Sequence, residues 1–450
     1  MSGAASVMRL PLPSQGQGGA SGARWAGMTD ALYRSLAGSE ETGSPTQRRN
    51  FFLHAGSLTL TKLADGLIDP KIVLSWLLTA LGAPAALVGL LVPVREAGAL
   101  LPQVLIAPWV QGTAIRKTFW ALGSVGQGLC VGAIALAALT LEGAAAGWAI
   151  VGALAAFSLC RAVCSTSYKD VLGKTVEAST RGAATGLAAS AAAGGTLLFG
   201  ALLAFGVIPR TVPAIAAVVA AAGVAWILAG MVFLRVREAP SEVAGADGFG
   251  LAALLRPLRE DAQLRVFIAA RALLVPTALA PPFLIALAAR EEDGTGALGP
   301  FVLASALAAI LSGYVWGRLS DRSSRRTFMA SGALAALALG LAAALSMAGP
   351  STWAVVALLF VAQVGYQGVR MARSIHLVDM AAEDRRAVYT ALSNTIIGVV
   401  LLAAGALGLL AQVAGLGAVL AASAALCLAG VAVASRLDEV QGLGADGAKA

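Results

Sequence analysis

The chain has 450 residues, of which 58% are hydrophobic and only 12% charged, with a formal net charge of +8. Soluble domains carry about 25% charged residues, so a water-soluble enzyme is excluded for want of polar surface, and a disordered chain by the same arithmetic. Four cysteines exclude a disulfide framework, and the apolar residues run in long unbroken stretches, which points to a helical polytopic membrane protein and away from a barrel.

Residues 1–50 are rich in Gly, Ser, Ala and Gln and hold no apolar run long enough to insert. They lack the charged-then-apolar order of a secretory signal, so they are expected to form a disordered cytoplasmic tail, with Met28 as an alternative start. Twelve stretches of membrane-spanning length follow, at 52–81, 84–108, 119–140, 145–167, 183–207, 212–235, 264–289, 297–317, 327–348, 352–375, 387–411 and 415–435. Gly and Ala dominate many of them, as suits close helix packing in lipid. The polar gap 236–263 ends in an amphipathic piece with Arg256 and Arg259, expected to be a linker with a surface helix. The expected organisation is a six-helix bundle at 51–235, this linker, a second bundle at 264–436 and a cytoplasmic tail at 437–450.

Cations mark one side of the membrane. One set of loops holds Arg116, Lys117, Lys169, Lys174, Arg181, Arg235, Arg237, Arg318, Arg322, Arg325, Arg326, Arg385 and Arg386. The opposite set holds Arg210 and Arg290 against Glu142, Glu291, Glu292 and Asp293. The positive charge is thus explained by topology and calls for no nucleic acid; both termini are expected in the cytoplasm.

The two halves repeat. At an offset of 209 residues, Arg116-Lys117-Thr118-Phe119 falls on Arg325-Arg326-Thr327-Phe328, and Gly123 on Gly332. The same offset lays Lys62 on Arg271, Arg161 on Arg370, Ser165 on Ser374 and Asp170 on Asp379. Polar matches at one offset and at equivalent spans indicate six-helix halves related by an axis along the membrane normal.

The loop after the eighth span reads Gly317-Arg318-Leu319-Ser320-Asp321-Arg322-Ser323-Ser324-Arg325-Arg326. It resembles the G-x-L-x-D-R-x-x-R-R motif of the major facilitator superfamily, and the span count, repeat and linker extend the resemblance over about residues 51–436. The resemblance implies an all-α membrane fold of twelve transmembrane helices in two pseudo-symmetric six-helix bundles, and a secondary transporter working by alternating access. The first-half copy departs from the motif, with Pro108 and Gly112 where the second half has Gly317 and Asp321. The Gly-Pro motif that many proton-coupled drug exporters carry in the fifth span is absent: residues 183–207 hold Gly194, Gly195 and Gly200 but no Pro.

Charges inside the membrane are costly and need a reason. On the first span His54, Thr61, Lys62, Asp65 and Asp69 fall within an arc of about 100°. Either Asp65 or Asp69 is a protonation site or a cation ligand, with Lys62 tuning it or binding an anionic group, or Lys62 and Asp65 form a buried pair that fixes the helix register and Asp69 sits at a wet helix end. Span two carries Arg95 and Glu96 near mid-bilayer; Arg95 must meet a carbonyl, a carboxylate such as Asp65 or Asp69, or a substrate anion, unless the two charges point to different faces and are each satisfied structurally. The resemblance implies that the first and seventh helices line a central cavity, so Arg271 is either a cavity residue or a cation snorkelling to the cytoplasm. Gln363, Gln367, Arg370 and Ser374 share one face of span ten, suited to a polar substrate or to bonding across a helix interface. Arg161, Asp170, Asp321, Arg322, Arg325, Arg326, Arg370 and Asp379 lie at cytoplasmic helix ends and form either an intracellular gate or the usual positive-inside flank.

No P-loop, metal-ligand cluster or Ser/His/Asp constellation is found, so no enzyme activity, cofactor or metal is expected. The expectation is a permease for a small polar or anionic molecule, coupled to an ion and most simply to protons. It would be a monomer in the bilayer of a cell inner membrane. The alternative is a non-transporting sensor, or an assembly or delivery factor, on the same fold.

Overall fold

A computed structural model describes residues 33, 35, 44–240, 251–289, 297–349, 351–381 and 385–441. Regular structure among these residues is helical throughout. The first span comprises α1 (Pro45–Leu67) and α2 (Val73–Ala80), and the second α3 (Ala85–Leu100) and α4 (Gln103–Gln111). Then come α5 (Lys117–Thr140), α6 (Gly143–Thr175), α7 (Ala178–Ala204) and α8 (Val212–Phe233). A short linker helix, α9 (Leu251–Glu260), leads to the seventh span, α10 (Ala262–Leu273) with α11 (Pro276–Ala288). The rest are α12 (Leu298–Arg322), α13 (Ser324–Leu345), α14 (Thr352–Met380), α15 (Arg386–Ala404) with α16 (Ala406–Ala414), and α17 (Leu416–Ala434).

Local chemistry explains where these helices start and break. The Ser44 hydroxyl accepts the Gln47 N–H at 3.2 Å and the Gln47 side chain accepts the Ser44 N–H at 2.6 Å, a reciprocal cap with Pro45 in the first turn. The helix therefore begins at Pro45, inside the stretch expected to be a disordered tail. Tyr33 is buried too, with its ring 5.2 Å from Phe51. Pro70 has no N–H to give and sits in the turn between α1 and α2, where Asp69 Oδ1 takes the Lys71 N–H at 2.8 Å. Pro102 sits in the 41° bend between α3 and α4.

Among the described residues ten helices are long and apolar enough to cross a membrane, and eleven if the bent α3–α4 pair is one span. The first span makes up the expected twelve; its break and the charges of Lys62, Asp65 and Asp69 keep it from standing out as apolar.

Two bundles result. In the first, α5 packs on α6 and α8, and α1 on α7 and α8. In the second, α13 packs on α14 and α17, and α12 on α14. Small residues set the spacing: a Cβ on Gly128 would lie 2.5 Å from the Gly223 carbonyl oxygen, and one on Gly365 2.8 Å from that of Ser331. The bundles meet through α3 against α15 and α16, and α7 against α12. A Cβ on Gly89 would lie 2.6 Å from the Gly408 Cα, and one on Gly299 would strike the Ala204 backbone. Both contacts lie toward the membrane side opposite the cationic loops.

Candidate functional site

A cavity of about 610 Å³ lies between the bundles. From α1 it is lined by Lys62, Asp65 and Asp69, from α3 by Arg95 and Glu96, and from α14 by Gln363 and Gln367. The charged positions of the first two spans thus meet on one wall, and the glutamines of span ten face them. At the centre of that wall Arg95 Nη2 lies 2.6 Å from Asp65 Oδ1, and Arg161 Nη1 lies 2.7 Å from Asp65 Oδ2. One carboxylate therefore ties α1 to α3 and α6. Lys62, three residues from Asp65, is exposed in the cavity while the two arginines take both carboxylate oxygens.

Gln363 is buried and donates to Ser305 on α12 at 2.8 Å, with its own oxygen unpartnered. His54, on the same arc of the wheel, turns away from the cavity, pairing with the Thr175 hydroxyl at 2.8 Å and packing 5.0 Å from the Phe233 ring.

Arg271 does not line the cavity. Its guanidinium lies behind the wall, donating to the Ser393 hydroxyl at 2.6 Å and to Asn394 Oδ1 at 3.0 Å, so it neither snorkels to the cytoplasm nor faces the open space.

The residues expected at a cytoplasmic gate divide. Arg161 and Arg370 belong to the cavity instead. Asp170 pairs with Arg116 at 2.8 Å and with Lys174 at 2.7 Å, inside the first bundle. Asp379 accepts from Gln441 at 2.7 Å, and Arg325 donates to the Leu437 carbonyl at 3.2 Å, inside the second. Arg322 and Arg326 are exposed, and the Asp321 side chain lies outside the described residues. In this conformation the pairs staple helix ends within a bundle and do not join the two bundles.

Four site residues were not read from the sequence as cavity lining: Arg161, Lys71, Tyr366 and Arg373. Arg373 is three residues from Arg370 on the same helical face, a signal that was available. Lys71 lies beyond Pro70, where a helical wheel no longer applies; its ammonium sits 3.5 Å from the centre of the Tyr366 ring on the opposite bundle.

Glu238 was also missed. Its carboxylate takes the Arg116 N–H at 3.0 Å and the Lys117 N–H at 2.7 Å at the start of α5, and the Lys174 ammonium at 3.1 Å. The second bundle has a counterpart in Glu439, which accepts from Ser323 at 2.7 Å at the start of α13.

Residues 291–448 match the sequence pattern of the Major Facilitator Superfamily, and the whole architecture has solved counterparts. A point-mutant form of the nucleoside transporter NupG superposes with a TM-score of 0.68 at 10% identity, over 87% of this chain and 100% of that one. The sequence match to the superfamily covers about a third of the chain, from just before the eighth span to the end of the twelfth. A D-xylose-proton symporter gives a TM-score of 0.65 at 12% identity, covering 87% of this chain and 98% of the symporter. A POT family transporter in complex with a thioalcohol-conjugated peptide gives 0.63 at 11%, covering 86% and 95%. At these identities the structural likeness speaks for the fold. No curated protein matches the chain by sequence. Its apolar helices of membrane-spanning length make the chain a multi-pass membrane protein.

Proposed function

We propose that this chain moves a small polar or anionic solute across a cell inner membrane by alternating access, driven by protons. The observation that carries the reading is the Arg95–Asp65–Arg161 pairing inside a cavity between two bundles. A carboxylate held by two guanidinium groups inside the membrane is stable while its charge remains; a proton on Asp65 leaves both cations unmatched. The helices that share Asp65 then lose a common anchor, and proton movement becomes rearrangement of the wall. Asp69 and Glu96 stand on the same wall and belong to the same proton-handling unit. Lys62, Gln363 and Gln367 meet the polar parts of the solute.

The moving bodies are the bundles at about 51–235 and 264–436. The cationic loops place both termini in the cytoplasm. The bundles meet toward the other side, so the cavity faces the cytoplasm in this conformation. One chain contains the whole pathway and works as a monomer. The proton and sugar named for the xylose symporter, and the nucleosides named for NupG, support a proton-coupled carrier of small polar solutes on this fold.

The test is solute-driven proton uptake in proteoliposomes. Asp65→Asn and Arg95→Ala should each abolish it while leaving membrane insertion intact. Wild-type uptake in both variants would overturn the assignment.

A further inference from the structure

Resting on that reading, we infer that the solute is a small organic anion and that the bundles divide the work. The first bundle carries the proton, and Arg370 and Arg373 of the second, backed by Arg271, hold the solute's carboxylate or phosphoryl group.

The cavity wall has six cationic side chains against three carboxylates, so it carries an excess of three positive charges. All three carboxylates belong to the first bundle. At the repeat offset of 209 residues, Asp65, Asp69 and Glu96 fall on Leu274, Ala278 and Ser305. Of the first bundle's four cavity cations, Arg161 and Lys62 fall on Arg370 and Arg271 while Lys71 and Arg95 fall on Ala280 and Ala304, and the second bundle adds Arg373 where the first has Cys164. It thus holds three arginines, two matched and one added, and none of the matching acids.

Among the described residues none of these three arginines has a carboxylate at ion-pair distance. Arg271 is 7% exposed, its hydrogen-bond partners Ser393 and Asn394 are neutral, and its Nε has no partner at all. Arg373 is near enough for its charge to reach both Arg271 and, on the opposite wall, Glu96. Repelling guanidinium groups in a membrane interior call for a counter-anion. The planar fork of arginine fits a carboxylate or a phosphate by paired hydrogen bonds.

The experiment compares the full-length wild type, Arg370→Gln/Arg373→Gln and Asp65→Asn. Binding is read as thermal stabilisation in detergent and transport as proton uptake in proteoliposomes. The probes are succinate, inorganic phosphate, glycerol 3-phosphate and uncharged xylose. At least one anion should stabilise the wild type and xylose should not; succinate against the two phosphates separates carboxylate from phosphoryl recognition. The double arginine variant should bind that anion roughly tenfold or more weakly. Asp65→Asn should still bind it while losing proton uptake. Equal anion affinity in wild type and double variant, stabilisation by xylose as strong as by the anions, or no stabilisation by any anion would overturn the inference. Asp65-dependent proton uptake with xylose would leave the proposed carrier standing and remove only its anion.

Discussion

Asp65, Arg95 and Lys71 work through different physics. Asp65 was legible because acids are rare in apolar runs, and its place on a charged helical arc pointed at a cavity. Arg95 needed a partner, and the structure supplies it at 2.6 Å. Arg161 was legible only as a cation, because its depth depends on how α6 crosses α1, which no local pattern records. Arg271 went the other way: the repeat matched it to Lys62, but Ser393 and Asn394 on α15 hold it behind the wall. Lys71 reaches Tyr366 across the gap between the bundles. Tyr366→Phe should keep near-normal transport, since the ring face remains. Tyr366→Leu should slow it severalfold, in line with about 0.5–2 kcal/mol for such a contact. Steady-state uptake at matched protein levels is the measurement, and equal loss in both variants would assign the role to the hydroxyl.

Most spans were visible as elements, since an apolar run of bilayer length is a strong local signal. Their continuity was less so. The second span breaks at Pro102, the seventh before Pro276 and the eleventh at Gly405. Several helices outrun their apolar cores: α6 continues to Thr175 and α14 to Met380, carrying Asp170 and Asp379 to the bundle ends. The start of α1 was hidden because its Ser44–Gln47 cap lies in a polar stretch. The broken elements also meet across the molecule. A Cβ on Gly408 would already lie 2.9 Å from the Ala86 carbonyl oxygen and 3.2 Å from the Gly89 Cα. Gly408→Val should therefore wedge α16 from α3 and loosen that end of the cavity. Thiol labelling of an Asp69→Cys background from the far side of the membrane should speed up severalfold, and an unchanged rate would mean that α3 and α16 do not form the seal.

For the whole molecule, the repeat at 209 residues anticipated the two bundles, and the cationic loops are the ground for reading one face as cytoplasmic. Lys62→Cys should react with a charged thiol reagent in inside-out vesicles and be protected in right-side-out cells; the reverse pattern would mean that the opposite face is cytoplasmic or that another conformation dominates. The gate was less legible. Acids and arginines at helix ends look alike whether they join two bodies or brace one, and only their partners tell the cases apart. Here Asp170 and Asp379 brace.

The two glutamates beyond the last helix of each bundle return to the start of that bundle's third span, Glu238 to α5 and Glu439 to α13. Each follows an arginine by three residues, in Arg235-Val236-Arg237-Glu238 and Arg436-Leu437-Asp438-Glu439. Where the halves face the same mechanical demand, to swing as a stiff body, they have kept the same clasp. Where they face each other across the cavity, acids on one side correspond to Leu274, Ala278 and Ser305 on the other. Likeness between the halves therefore sorts the molecule into chassis and cargo hold, and the residues that break the symmetry mark the hold.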